Sequence, residues 1–178
     1  MQNNDSGIDI ISNILGDTTK KILEANTQKK ILYSKTMLSI PKVSLRPEIG
    51  CFVQFYGDYN GLVVLNFSAE SAMIIYKNYM TLMGIPEKEL ALNFTSVEVP
   101  DSIGELINQI LGASMKVIED RYDLTAACGQ PKALILNSAI TLSIDSDFRD
   151  NRRIVFNIER RKFYMELAME STEFIQMK

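Results

Sequence analysis

The chain has 178 residues, 46% of them hydrophobic and 23% charged, the balance of an ordinary globular protein with enough length to bury a sizeable core. Its net charge of −3, with no compensating basic stripe, argues against a nucleic-acid binder. It has no histidine, which removes the commonest general base and the commonest zinc ligand, and its two cysteines, Cys51 and Cys128, match no metal spacing.

Residues 6–28 predict a first helix. Ile8, Ile11, Leu15, Ile22 and Ala25, with Thr18 between, recur at helical spacing, and Ile14 and Leu23 widen the stripe. Lys20, Lys21, Lys29 and Lys30 read as its solvated end. Residues 32–45 are β-branched and apolar but contain Pro41, which predicts an edge strand or one broken by a bulge. Residues 51–56 and 62–67 are compact apolar runs, and Gly57, Asp58, Tyr59, Asn60 and Gly61 between them are the clearest hairpin signal in the chain. Ser68 caps a second helix running to about Met83, with Met73, Tyr76, Met80 and Met83 as its stripe and Gly84 and Pro86 as its stop. Residues 87–99 read as a connector with a short helical turn.

Residues 100–118 predict an amphipathic helix with two distinct faces. Ile103, Leu106, Ile107, Ile110, Leu111, Val117 and Ile118 share one face, with Ser114 among them. Asp101, Glu105, Asn108, Gln109, Gly112 and Lys116 share the other. Glu105 and Asn108, three residues apart, lie side by side on a helix surface. Glu105 has a structural reading of its own: with Ser102 as N-cap it would close a capping box. Asn108 has none, because asparagine is a poor residue for a helix interior. Gly104 and Gly112 add about 1 kcal/mol of helix penalty each. Such a helix is tolerating drift or presenting a surface.

Residues 119–132 read as a loop or broken strand, and 133–144 as a strand. Residues 145–151 read as an acidic turn, 153–159 with 163–169 as a terminal hairpin, and 171–178 as a tail. Asp145, Asp147 and Asp150 lack the glycine and glutamate spacing of a calcium loop. Arg149, Arg152, Arg153, Arg160, Arg161 and Lys162 form a local basic cluster that reads as solvated, with an acidic partner as the other reading. No apolar run suits a signal peptide or a membrane span. The expected setting is the cytoplasm, where the two thiols stay reduced, with residues 1–178 as one domain. The pattern as a whole is α+β, with long helices packed on a mostly antiparallel sheet.

Asp101, Glu105, Asn108 and Pro131 stand in the spacing D-x3-E-x2-N-x22-P. This resembles the signature of the CheC/CheX/FliY family of response-regulator phosphatases. The resemblance is specific over residues 100–131 and only topological over the divergent half, 1–99. It implies a CheX-like α/β sandwich that dephosphorylates the aspartyl phosphate of a CheY-like receiver domain in chemotaxis or two-component signalling. Glu105 and Asn108 are then the catalytic residues. Asn108 would hold a water in line with the phosphate, and Glu105 would pair with the receiver's lysine. Asp101, Gln109 and Gly112 would be partner-binding positions. No cofactor is implied in this chain, since the Mg²⁺ belongs to the phosphorylated receiver. CheC and FliY proteins usually carry two E-x-x-N helices, whereas here the first helix has Glu24 followed by Thr27. A single motif looks more like CheX, which implies a homodimer joined at sheet edges, with no nucleic acid or membrane as partner. The competing reading is a non-catalytic CheX-like module that binds a signalling partner.

Overall fold

The apolar periods of the sequence become three helices and a sheet in a computed structural model that describes residues 6–142 and 150–172. The helices are α1 (Gly7–Thr27), α2 (Ala69–Leu82) and α3 (Glu98–Tyr122). The strands are β1 (Ile31–Tyr33), β2 (Leu38–Ser39), β3 (Ser44–Leu45), β4 (Ile49–Gly57), β5 (Gly61–Phe67), β6 (Ala126–Cys128), β7 (Lys132–Ile135), β8 (Ile140–Thr141), β9 (Asp150–Ile158) and β10 (Arg161–Met169). The main sheet is antiparallel in the order β1-β9-β10-β5-β4-β6. β2 continues the β1 rim along β9, and β7 lies beside β6 on β4. α1 packs over β9 and β10, α2 over β10 and β5, and α3 over β4, β6 and β7. Among the described residues no helix is long and apolar enough to cross a membrane.

The helix-facing side of the sheet carries the main core. Phe156 and Phe67 stack on either side of Phe163, with ring centroids 4.9 and 5.1 Å apart. The opposite side is covered as well. Val43, Leu45, Leu62, Val64, Leu136 and Ala168 form a second apolar cluster beneath the small β3–β8 ladder. Every residue of β5 is therefore buried. The α+β expectation holds: three helices lie on a mostly antiparallel sheet.

The local readings differ in instructive places. In α1, Ala25 is exposed and Ile22 half-buried, and the buried line runs through Ser12, Thr19 and Thr27 instead. Thr27 and Thr18 donate to the carbonyl one turn back, Leu23 (2.6 Å) and Ile14 (2.7 Å), whereas the buried hydroxyls of Ser12 and Thr19 have no hydrogen-bond partner among the described residues. The predicted strand over 32–45 is three short ones, and Pro41, with no N–H to continue a ladder, falls in the break between β2 and β3. In α2, Ser68 caps as predicted, accepting from Ser71 N–H at 3.1 Å. The stripe is rotated, however: Ala72, Ile75, Tyr76 and Tyr79 are buried, while Met83 is exposed. The predicted loop over 119–132 is partly the last turn of α3 and partly β6. The strand over 133–144 breaks after Ile135. Asp145, Asp147 and Arg149 lie outside the described residues, as does the tail from residue 173.

Three of the five described members of the basic cluster are paired. Arg152 donates to Asp9 at 2.8 Å, tying β9 to α1. Burial pushes the Asp9 carboxyl up, but its bonds from Arg152 and Ser6 outweigh this and hold it below its ordinary value. Arg153 reaches the fully buried Glu166 at 2.7 Å, and Arg161 reaches Glu70 at 3.1 Å. Arg160 and Lys162 have no carboxylate partner among the described residues. Arg160 also stands with Glu159 in the left-handed region, at φ 67 and 45, where the β9–β10 turn needs positive φ at both positions. Asparagine and glycine usually fill such a turn, because other residues there cost roughly 1–2 kcal/mol.

Candidate functional site

The site is built on α3. Its inward face buries Ile103, Leu106, Ile107 and Ile110 almost completely, each contributing about 2 kcal/mol of apolar burial. That fixes the helix's rotation and turns the other face outward. Asp101, Glu105, Asn108, Gln109, Gly112 and Lys116 are all exposed, as the period predicts. A second anchor comes from the β4–β5 turn, where Asn60 accepts from Gly57 N–H at 3.1 Å. The buried Tyr59 of that turn donates its hydroxyl to Met115 of α3 at 2.6 Å. Asp58 accepts from Thr125 N–H at 2.8 Å just beyond the helix, so the turn holds both α3 and the chain that follows it.

α3 starts earlier than predicted, at Glu98, so Ser102 is not its N-cap. Ser102 donates instead to the Glu98 carbonyl at 2.6 Å from inside the helix. Pro100 is accommodated because the first-turn N–H groups have no intrahelical acceptor. The capping-box explanation of Glu105 therefore falls away, and its carboxylate is left facing out.

Asp101, Glu105, Asn108 and Pro131 converge. Together with Pro100, Gly104, Gln130 and Ala133 they line one open depression of about 340 Å³ between the first half of α3 and the approach to β7. Pro131 is 23 residues beyond Asn108 in sequence, so the fold joins what the spacing only suggested. The depression offers two carboxylates and two carboxamides, with no serine, cysteine or histidine nucleophile. Gln109 and Gly112 do not line it. Gln109 accepts from Asn26 of α1 at 3.4 Å, and Gly112 borders a separate hollow with Met115, Lys116 and Thr125.

Sequence reasoning missed one supporting residue. The buried Tyr79 of α2 sets its hydroxyl against Glu105 and Gln109. Burial, then the Glu105 charge, raise this phenol above its ordinary value, while the Gln109 hydrogen bond opposes the rise. Nothing local could have revealed it, since the α2–α3 register is set by the sheet. In α1, Glu24 accepts from Ile31 N–H at 2.9 Å and Thr27 is buried, so these two residues serve the fold.

Neither glycine on the site helix is required by packing, for a Cβ at Gly104 or Gly112 would meet nothing within 4 Å. Gly112→Ala is expected to stabilise the protein by about 1 kcal/mol, raising Tm by roughly 2–4 °C. Thermal melting checks this, and a lower Tm would show that the position is crowded.

A family model described as "Protein of unknown function (DUF3334)" matches residues 4–178. No curated protein matches the sequence at a significant level. Solved structures share the fold at low identity. A chemotaxis protein CheX from Desulfovibrio desulfuricans is 15% identical with a TM-score of 0.74, covering 90% of this chain and 99% of its own. A CheC-like superfamily protein from Shewanella sp. PV-4 is 16% identical with a TM-score of 0.74, covering 92% and 99%. The CheX of a CheX–CheY–BeF3–Mg²⁺ complex from Borrelia burgdorferi is 12% identical with a TM-score of 0.67, covering 89% and 97%. The resemblance read from Asp101, Glu105, Asn108 and Pro131 thus meets the CheC/CheX fold.

Proposed function

We propose that this chain, which belongs to the DUF3334 family, is a phosphatase acting on the aspartyl phosphate of a CheY-like receiver domain. The observation that carries the reading is the convergence of Asp101, Glu105, Asn108 and Pro131 on one solvent-facing depression. An acyl phosphate is already reactive, so positioning and electrostatics suffice, and the absence of a nucleophile in the depression is no obstacle. Asn108 has no hydrogen-bond partner among the described residues, which leaves its amide available to a water. A neutral amide can orient that water without repelling phosphate, which a carboxylate would do. The water's oxygen attacks phosphorus, the P–O bond to the receiver's aspartate breaks, and inorganic phosphate leaves. Glu105 docks on the receiver's lysine, with Tyr79 backing its carboxylate, and the receiver's Mg²⁺ carries the developing charge.

The test is phosphate release from a purified phosphorylated receiver, with and without this protein. Acceleration that requires Asn108 supports the reading. Binding with no acceleration would leave a non-catalytic module in its place.

The same reading includes a homodimer joined through the β1–β2 rim. Leu32 and Leu38 are 52% and 49% exposed there, on an edge that no other strand covers among the described residues. Light scattering should report twice the chain mass at micromolar concentration, and a monomer at every accessible concentration would count against it.

A further inference from the structure

We propose that a second depression, at the tip of the β9–β10 hairpin, binds a phosphate-bearing small molecule. It has a volume of about 360 Å³ and shares no residue with the motif depression. Arg46, Arg160, Arg161 and Lys162 line it, with Glu70 as its one carboxylate and Tyr164 at its side. Four cations against one anion in a chain of net charge −3 is a concentration that solubility does not require.

The individual contacts sharpen this. Arg161 is neutralised by Glu70 at 3.1 Å. Arg46 lies 3.5 Å from Glu166, but Arg153 already holds the same carboxylate oxygen at 2.7 Å. Arg46 is therefore only partly compensated, and Arg160 and Lys162 have no carboxylate among the described residues. Arg160 adds an independent sign. It holds a left-handed turn position that glycine would fill without strain, and only its backbone N–H is used by the fold, donating to Asn157 at 3.0 Å. Strain kept at a position whose side chain serves no contact points to function. Of the first-turn N–H groups of the nearby α2, that of Ala69 is taken by Glu48 and that of Ser71 by Ser68.

Three under-compensated cations favour a polyanion over a single carboxylate, and guanidinium forks suit phosphate oxygens. The size fits a small molecule with two or three phosphates and not a helix.

The experiment is calorimetric titration of the full chain, without magnesium, with inorganic phosphate, pyrophosphate and ATP, beside a hexaglutamate peptide. Pyrophosphate and ATP are expected to bind more tightly than phosphate. Arg160→Gly and Lys162→Ala should each weaken them about tenfold, the loss of one charge-assisted contact. Arg160→Gly should at the same time keep or raise Tm, which separates loss of a ligand contact from loss of fold. Glu70→Gln should tighten binding. No pyrophosphate or ATP binding at millimolar concentration would overturn the proposal, as would equal affinity in Arg160→Gly. Tighter binding of hexaglutamate than of pyrophosphate would assign the site to an acidic protein segment instead. None of these outcomes depends on whether the motif helix is catalytic.

Discussion

Asn108→Ala is expected to abolish receiver dephosphorylation while leaving receiver binding and folding intact. Removing a preorganised polar group from a transition state typically costs on the order of 10²–10³ in rate, so the loss should be at least a hundredfold. The side chain is exposed and its neighbours on the inner face hold α3 in place, so the substitution touches no packing. Alanine is also the better helix former, which makes the variant slightly more stable if anything. Glu105→Ala should behave differently. It loses a charge-assisted contact to lysine, so binding falls together with turnover. It also leaves Tyr79 without its carboxylate neighbour, at a small cost in stability. Three measurements separate the roles: phosphate release, receiver affinity and Tm for each variant. Full turnover by Asn108→Ala would remove Asn108 as the water-holding residue. Normal binding by Glu105→Ala would remove Glu105 as the docking residue.

The largest stability effect is expected far from that helix, at Glu166. This carboxylate is fully buried between β10 and the β3 segment. One oxygen accepts from Arg153 Nε at 2.9 Å and Nη2 at 2.7 Å, and the other accepts from Ser44 N–H at 2.8 Å. Glu166→Ala removes all three bonds at once, leaving a half-buried N–H and a half-buried guanidinium without acceptors. The expected cost is about 3 kcal/mol, at the lower end for a broken buried pair because Arg153 retains some access to water. For a chain of this size Tm should fall by on the order of 10 °C. Arg46→Ala is the contrast. Its side chain is 46% exposed and sits 3.5 Å from the same carboxylate, so its removal should cost about 1 kcal/mol or less. Chemical denaturation of both variants tests the pair, and a Glu166→Ala loss no larger than that of Arg46→Ala would show that the buried charge is not a structural linchpin.

Glu166 also illustrates what the sequence could not reveal. In an alternating strand it reads as a solvent-facing residue. It is buried only because residues around Val43 and Leu45 cross the far face of the sheet, and that crossing is set by contacts more than a hundred positions apart in the chain. α3 was the opposite case. Its two faces differ so sharply in polarity that the helical period alone assigned every exposed motif residue correctly. Its start was misread at Pro100, because proline and Ser102 both look like N-terminal signals and here both lie inside the first turns. α2 was misread in rotation. Ile74, Ile75, Tyr76, Tyr79 and Met80 make it apolar on several sides, so only its seat on β10 and β5 decides which line is buried. The convergence of Pro131 on Asn108 was legible as spacing and became geometry through the loop that Asp58 and Tyr59 fasten.

The strand order has a kinetic consequence. β4–β5 and β9–β10 are local hairpins that can close on their own, but the centre of the sheet is the β5–β10 ladder, which pairs Phe67 with Phe163 and Gly61 with Met169. Joining them closes a loop of about a hundred residues before any contact in that ladder rewards it. α2, which packs over both β10 and β5, finds its complete floor only after that closure. High contact order of this kind places folding in the millisecond-to-second range, and substitutions in the β5–β10 seam should slow folding more than equally destabilising ones in α1. Stopped-flow refolding of Val63→Ala against Ile8→Ala would measure this, and equal fractional effects on the folding rate would show that the seam is not the step that sets the pace.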